Sequence, residues 1–174
     1  MKNHLKMTLP KQLSILLIAI LITACGGKKE DKKEGFSYEK KTETSEKAES
    51  NPNAIVLTSN DAMQFNKKEI VVKAGQKVTL TLKHIGKMDK QVMGHNFVLL
   101  KQGVDLNAFG NKAAAFANNA YIPIDTEDVI AYTKLIGGGE TTVIEFDAPA
   151  TGEYEFLCSF PGHYALMKGV FIVE

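Results

Sequence analysis

The chain of 174 residues contains no arginine and only two cysteines. Without arginine, it has no guanidinium group for bidentate binding of a phosphate or a carboxylate. Its charges nearly cancel, since 21 lysines face 20 acidic residues. This balance gives no electrostatic basis for binding a phosphate backbone, so we expect no nucleic-acid partner.

Residues 1–24 have the pattern of a bacterial export signal. Three lysines precede an apolar run from Leu13 to Ile22 that only Ser14 interrupts. The run is short for a membrane span and ends in small residues, as a cleavable signal does. Ile22-Thr23-Ala24-Cys25 resembles the bacterial lipobox, which implies cleavage before Cys25 and lipid on that residue. The alternative is an ordinary signal peptide in which Cys25 has no special role.

A polar segment, residues 25–53, follows the predicted signal. Between Lys28 and Glu49 it holds seven lysines, seven acidic residues and almost no apolar side chain. Such a composition cannot bury enough surface to offset the entropy of ordering, so we predict a flexible tether. We expect an extracytoplasmic bacterial protein anchored to a membrane by lipid at Cys25. Gly26 is not an aspartate-type signal for inner-membrane retention, which favours the outer membrane facing the periplasm over the cell surface.

The remaining residues, 54–174, are long enough for one domain, and they contain about eight short β-rich runs. Their spacing predicts an all-β sandwich or barrel. One alanine-rich stretch, residues 105–119, predicts a short helical insertion that Gly110 interrupts. We expect the domain to be monomeric. The predicted strands cover residues 55–58, 69–73, 77–83, 96–100, 128–133, 141–146, 154–157 and 170–173.

Four candidate metal donors stand out in this domain. Cys158, His163 and Met167 lie within ten residues of one another, and His95 lies far upstream. Two imidazoles, a thiolate and a weak axial thioether are the donor set of a blue-copper electron-transfer site. Since Cys25 is expected to be acylated, Cys158 would be an unpaired thiol in an oxidising compartment, where metal ligation is one of few roles.

Four segments at near-family spacing are similar to azurin: residues 60–66, 92–96, 129–137 and 160–169. The resemblance covers residues 54–174. It implies a Greek-key sandwich of the cupredoxin type that binds one type 1 copper ion. It also implies a one-electron carrier that transforms no small-molecule substrate and is not an enzyme.

The resemblance further implies a role for individual residues near the copper. His95, Cys158 and His163 would be the equatorial ligands, Met167 the long axial ligand, and the Gly94 carbonyl would lie opposite Met167. Asn96 would tie the two ligand loops together, and backbone amides near Phe160 would bond the Cys158 sulfur.

The resemblance implies that electrons pass through an apolar surface around His163. Cytochromes c or copper-containing reductases would be the redox partners. An exposed apolar patch with a polar rim is typical of a transient partner surface. The alternative for Met88 and Met93 is that they fill the core. The matching residues are Met88, Val92, Met93, Phe160, Pro161, Gly162 and Ala165.

Several departures from azurins are visible. The turn at residues 74–76 lacks the cysteine that usually forms a disulfide with the first strand, so the core must supply more of the stability. Phe97 stands where some azurins have tryptophan. Tyr132 lies in a segment where azurins often have histidine, and Tyr164 replaces a small residue beside His163.

Other interpretations remain open at this stage. Zinc also binds two histidines and a cysteine, and a copper carrier would deliver the metal instead of an electron. Cys158 with His163 could form a thiol nucleophile and base, but Met167 and His95 would then have no role. His84 is either a partly buried histidine that titrates with the redox state or a structural one.

Overall fold

A computed structural model describes residues 51–174, in which nine strands form two sheets. The predicted signal of residues 1–24, the predicted lipid site Cys25 and nearly all of the tether lie outside the described residues. None of the helices within 51–174 is long and apolar enough to span a membrane. The strands are β1 (Ala54–Asn60), β2 (Gln64–Phe65), β3 (Glu69–Val72), β4 (Lys77–His84), β5 (Val98–Leu100), β6 (Val129–Tyr132), β7 (Thr141–Asp147), β8 (Gly152–Leu157) and β9 (Lys168–Val173).

The predicted all-β sandwich is confirmed. One sheet has the strand order β2-β1-β4-β7 and the other β3-β9-β8-β5-β6. The β1–β4 and β3–β9 pairs are parallel, and every other pair of strands is antiparallel. All eight predicted strands are present. The ninth, β2, has two residues and is too short to show an alternating pattern.

The main core lies between the two sheets. Strand β4 alternates strictly, so Val78, Leu80 and Leu82 are wholly buried while the residues between them face outward. Phe97, Phe156 and Phe171 fill the same core from other parts of the chain. The candidate ligands lie at one end of this packed apolar core, which excludes water from that side of them.

Helix α2 (Leu106–Ala113) covers the outer face of the five-stranded sheet. A short helix α1 (Lys90–Met93) precedes β5. The Asp105 carboxylate caps α2 by accepting hydrogen bonds from the amides of Asn107 and Ala108, both at 2.9 Å. The prediction that Gly110 interrupts this helix was wrong, because Gly110 is buried inside it. The helical stretch instead ends at Ala113, before a 3₁₀ turn at Ala117–Asn119.

Strand β5 is buried on both faces because α2 packs over it. Val98 and Leu100 belong to a second apolar cluster with Leu106 and Phe109 of α2, whereas Leu99 points into the main core. A strand covered on both sides is held firmly in place. The packing of β5 therefore also fixes the backbone of His95 and Asn96, which lie just before it.

A buried side-chain amide links the first strand to the end of β3. Asn53, just before β1, is wholly buried. Its Nδ2 donates to the Lys73 carbonyl at 3.0 Å, and its Oδ1 accepts from the Lys73 amide at 2.8 Å. Two hydrogen bonds thus link the start of β1 to the end of β3, across 20 residues of chain.

We predict that Asn53→Ala lowers the free energy of unfolding by about 1–3 kcal/mol, because it leaves two backbone groups of Lys73 without partners. Urea unfolding of the metal-free protein measures this difference. Asn107→Ala is the matched control on the exposed face of α2, with an expected change within about 0.5 kcal/mol. Equal effects of the two substitutions would show that the Asn53 amide does not link these strands.

Candidate metal centre

Three candidate ligands are placed by the ends of neighbouring strands. His95 lies just before β5 and exchanges two backbone hydrogen bonds with Ile136, both of 2.9 Å. Cys158 directly follows β8, and since side chains alternate along a strand, it faces the main core like Phe156. His163 begins a 3₁₀ turn, His163–Ala165, on the loop that leads to β9.

The donor atoms of these residues form a small triangle. Cys158 Sγ lies 3.8 Å from His95 Nδ1 and 3.7 Å from His163 Nδ1. The two Nδ1 atoms are 3.2 Å apart. In a planar site with metal–donor bonds of about 2.0–2.3 Å, neighbouring donors lie roughly 3.5–3.8 Å apart. The triangle therefore fits one metal ion with only small movements of the imidazoles.

The ring orientation of His95 is set by a hydrogen bond on its far side. Its Nε2 lies 3.0 Å from the carbonyl oxygen of Asn60, so Nε2 carries the proton and donates it. The Nδ1 lone pair is then free to point at Cys158. The ring of His84 stacks on that of His95 with centroids 4.4 Å apart, which holds the plane of the ring.

His163 reaches the protein surface by one edge. Its side chain is buried, and its Nδ1 faces the other two donors. His163 is 4% exposed, whereas Cys158 and His95 are both at 0%, so the exposed part of the site belongs to this imidazole. The imidazole joins the buried donors to the outside.

Met167 is joined to two of the candidate ligands through its backbone, and the Gly94 carbonyl lies near Cys158. Met167 is wholly buried, its amide donates to the His163 carbonyl at 2.7 Å, and its own carbonyl accepts from the Cys158 amide at 2.9 Å. The Gly94 carbonyl oxygen lies 3.9 Å from Cys158 Sγ. A Cβ at Gly94 would come within 2.5 Å of the Lys90 carbonyl oxygen, so this tight turn requires glycine.

Asn96 connects the two loops that carry the candidate ligands. Its Oδ1 accepts from the Ser159 amide at 2.8 Å, and its Nδ2 donates to Ser159 Oγ at 2.8 Å and to the Ala120 carbonyl at 3.0 Å. All three side-chain hydrogen bonds are buried or partly buried. The residues after His95 and after Cys158 are thus held together.

The metal-free site is uncharged at neutral pH. Burial raises the pKa of the Cys158 thiol to about 12, although hydrogen bonds from the backbone amides of Asn96 and Phe160 act in the opposite direction. Burial also lowers the pKa of His95 and of His163 to about 4. Both imidazoles are therefore neutral and offer a lone pair.

His84 has the contacts of a structural histidine. Its ring is buried, its Nδ1 accepts from the Gly86 amide at 3.0 Å, and its Nε2 lies 3.1 Å from the Met93 carbonyl oxygen. The Asp61 carboxylate lies 3.7 Å from the same Nε2. These contacts fix the position of the His84 ring, which stacks on the ring of His95, and of the loop that follows β4.

The residues expected at the partner surface differ in exposure. Met88 is 46% exposed, so it is not a core filler, whereas Met93 is half-buried and Phe160 is 9% exposed beneath the surface. Sequence reasoning missed Leu166, which is 55% exposed on the same loop. In the sequence, Leu166 lies between Ala165 and Met167 in an apolar run, and such a run predicts burial. The exposed members of the expected set are Met88, Val92, Pro161, Gly162 and Ala165.

A buried triangle of two imidazoles and one thiol at the end of a β-sandwich defines the blue-copper class of proteins, the cupredoxins. The chain belongs to the plastocyanin/azurin family of copper binding proteins, whose family model matches residues 53–174. The resemblance inferred from the sequence is thereby confirmed.

Individual relatives agree with this assignment. The chain is 51% identical to Azurin-1 of Alcaligenes xylosoxydans xylosoxydans, over 67% of this chain and 94% of that protein. It is 46% identical to Outer membrane protein H.8 of Neisseria meningitidis serogroup B, over 67% of this chain and 64% of the relative. Two solved structures each align with a TM-score of 0.64 and cover 70% of this chain. They are an azurin of Methylomonas sp. strain J, 36% identical with 97% of it covered, and auracyanin A of Chloroflexus aurantiacus, a "blue" copper protein 34% identical with 98% covered.

We predict that metal uptake releases one proton per site between about pH 5 and pH 10. Over this range the Cys158 thiol is protonated and both imidazoles are neutral, so only the thiol must lose a proton. The apparent affinity for Zn²⁺ should therefore rise about tenfold per pH unit and fall more steeply below about pH 4, where the imidazoles are also protonated. Competition with a chelator at several pH values measures the slope, and a pH-independent affinity would contradict the neutral site.

Proposed function

We propose that this chain is a one-electron carrier that holds a single type 1 copper between His95, Cys158 and His163. The observation that carries the proposal is the buried donor triangle with edges of 3.2–3.8 Å. Copper bound there would supply one electron at a time, since two imidazoles and one thiolate suit both of its oxidation states. Because the sandwich holds all three side chains, their positions change little with the redox state.

Met167 and Gly94 are the proposed weak donors above and below the triangle. Met167 is locked through its backbone to both His163 and Cys158, which supports a fixed distance between its thioether and the site. The Gly94 carbonyl already lies near Cys158 Sγ. A distant thioether donates weakly to Cu(II), so we expect it to raise the reduction potential.

Asn96 and the Phe160 amide are proposed to tune the sulfur. The backbone amides of Asn96 and Phe160 act to lower the pKa of Cys158 and so favour its thiolate form. Hydrogen bonds to a ligating sulfur withdraw charge from it and adjust the potential. The Asn96 side chain would keep this arrangement when the oxidation state changes.

Two rival functions are less well supported. A copper carrier needs ligands that open easily to a recipient protein, but Cys158 and His95 are wholly buried. A thiol enzyme needs a reactive thiolate, whereas the pKa of Cys158 is raised to about 12. Zinc binding remains an alternative occupant of the same donors, without redox activity. The members of this family act as electron carriers, which agrees with the proposal that this chain is not an enzyme.

The exposed edge of His163 is the proposed gateway for electrons. Leu166 is exposed and its amide donates to the His163 carbonyl, and Met88 and Val92 are exposed on the segment that precedes Gly94. These apolar side chains would form the docking surface, and a small apolar contact suits brief docking because it releases its partner quickly. We propose cytochromes c or copper-containing reductases as partners of a monomeric carrier, with no small-molecule substrate.

We further propose that lipid on Cys25 anchors the protein outside the cytoplasm, on the outer membrane facing the periplasm, with the cell surface as the alternative. The similarity to Outer membrane protein H.8 supports this location. A tether of residues 25–53 would reach roughly 30 Å on the random-coil scaling of chain length. That reach lets the domain search for partners while it stays close to the membrane.

The proposed copper site predicts the effect of Cys158→Ser. In a chain that also carries Cys25→Ala, Cys158 is the only thiol, and added Cu(II) should give an intense visible absorption band. Cys158→Ser should abolish that band because the band requires a copper–thiolate bond. Asn107→Ala, on the exposed face of α2 away from the site, should retain it. A variant that keeps its colour without Cys158 would rule out the proposed site.

The proposed anchor predicts a difference in detergent partitioning. The full-length chain, expressed in a bacterium with lipoprotein processing, should enter the detergent phase, and Cys25→Ala should remain in the aqueous phase. The control is Cys158→Ser, which should partition like the unsubstituted chain. Equal partitioning of the Cys25→Ala and unsubstituted chains would exclude the lipid anchor.

A further inference from the structure

Tyr164 lies next to His163 and joins its turn to helix α2. Inside that helix, Gly110 is buried against the tyrosine ring, and a Cβ at Gly110 would lie 2.5 Å from ring atoms Cγ and Cδ1. The Tyr164 hydroxyl donates to Asn111 Oδ1 at 2.8 Å. The ring thus lies directly on the helix backbone, and its tip is tied to the next side chain of the helix.

The helix itself is well anchored. Its residues Leu106, Phe109 and Ala113 are buried in the second apolar cluster, on the outer face of the five-stranded sheet. The ring of Tyr164 packs against the same cluster. Tyr164 thus connects the turn at His163 to helix α2, in addition to the contact between the rings of His163 and Phe160, whose centroids are 4.6 Å apart.

Much of the loop around His163 and Tyr164 is exposed, and a hydrogen bond from Lys68 Nζ to the Leu166 carbonyl, at 2.6 Å, also holds it. Pro161, Gly162, Ala165 and Leu166 are all exposed. The turn is closed by backbone hydrogen bonds from the amides of Leu166 and Met167 to the His163 carbonyl, at 3.0 and 2.7 Å. A segment with an exposed surface and few buried side chains opens readily unless a contact elsewhere holds it.

We infer that Tyr164 is a positioning residue, which braces the turn His163–Ala165 against helix α2 and so holds His163 in place. The brace consists of the ring on Gly110 and the hydroxyl on Asn111. As far as it concerns copper, the inference rests on the proposed function. The bracing of the turn itself is a property of the metal-free chain.

Hydrogen exchange of the metal-free protein tests the brace without copper. Tyr164→Phe removes only the hydroxyl and should speed exchange of the Leu166 and Met167 amides by about twofold to fivefold, as expected for one hydrogen bond. Tyr164→Ser also removes the ring and should speed it by about tenfold or more. Amides in β4 should keep their protection in both variants, because the opening is local.

Tyr132 supplies the matched controls. It is 49% exposed on β6, and the described residues offer its hydroxyl no hydrogen bond. Tyr132→Phe and Tyr132→Ser should leave exchange at Leu166 and Met167 unchanged. The inference is overturned if Tyr164→Ser exchanges at these amides no faster than Tyr132→Ser, or if all amides accelerate together as in global unfolding.

A second measurement extends the test to the metal. The rate at which a chelator removes copper is measured by the loss of the visible band. This rate should be higher for Tyr164→Phe than for the unsubstituted chain, and higher still for Tyr164→Ser. Asn111→Ala should release copper at the same rate as Tyr164→Phe, since both substitutions remove the same hydrogen bond. The double variant Asn111→Ala/Tyr164→Phe should therefore release copper no faster than either single variant. If the Tyr164 variants speed hydrogen exchange at Leu166 and Met167 but not copper release, the inference that Tyr164 holds His163 in place is overturned. If the chain bound no copper, the exchange result would still decide whether the turn is braced.

Discussion

One buried side-chain amide, that of Asn96, connects the two loops that carry His95 and Cys158. His95 and Cys158 belong to loops 63 residues apart in the chain, and Asn96 bonds to both the backbone and the hydroxyl of Ser159. These bonds are buried, so water does not compete for them. With the loops tied here, the ends of β5 and β8 present their donors within 4 Å of each other. The tie makes a compact site out of distant segments.

Burial sets the chemistry of this site as much as geometry does. A wholly buried thiol and two mostly desolvated imidazoles are stable only as neutral groups in the metal-free protein. The fold therefore maintains three uncharged donors that a metal can recruit by displacing one proton. Of the three donor residues, only His163 is exposed at all, at 4%, whereas His95 and Cys158 are wholly buried.

Much of this could be predicted from the sequence, and the exceptions have physical causes. The short β-rich runs predict the eight longer strands, and the close spacing of Cys158, His163 and Met167 indicates a metal site. His95 lies 63 residues before Cys158, so it enters only through its donor chemistry and the similarity to azurin. The contacts of Asn53 with Lys73 and of Tyr164 with Gly110 join distant segments and leave no local pattern. Intrinsic propensity disfavours glycine in a helix and predicts a break at Gly110, but the close approach of the Tyr164 ring requires glycine there. The exposure of the Leu166 side chain is set by the turn His163–Ala165, which its apolar sequence neighbours do not indicate.

Voltammetry of the copper-loaded chain, with its copper content measured, tests the central claim most directly. The account predicts one copper per chain and a reversible one-electron couple, with the visible band lost on reduction and restored on oxidation. A chain that binds one metal ion but shows neither colour nor a reversible couple would contradict it. The site would then belong to a zinc-binding or metal-delivery protein.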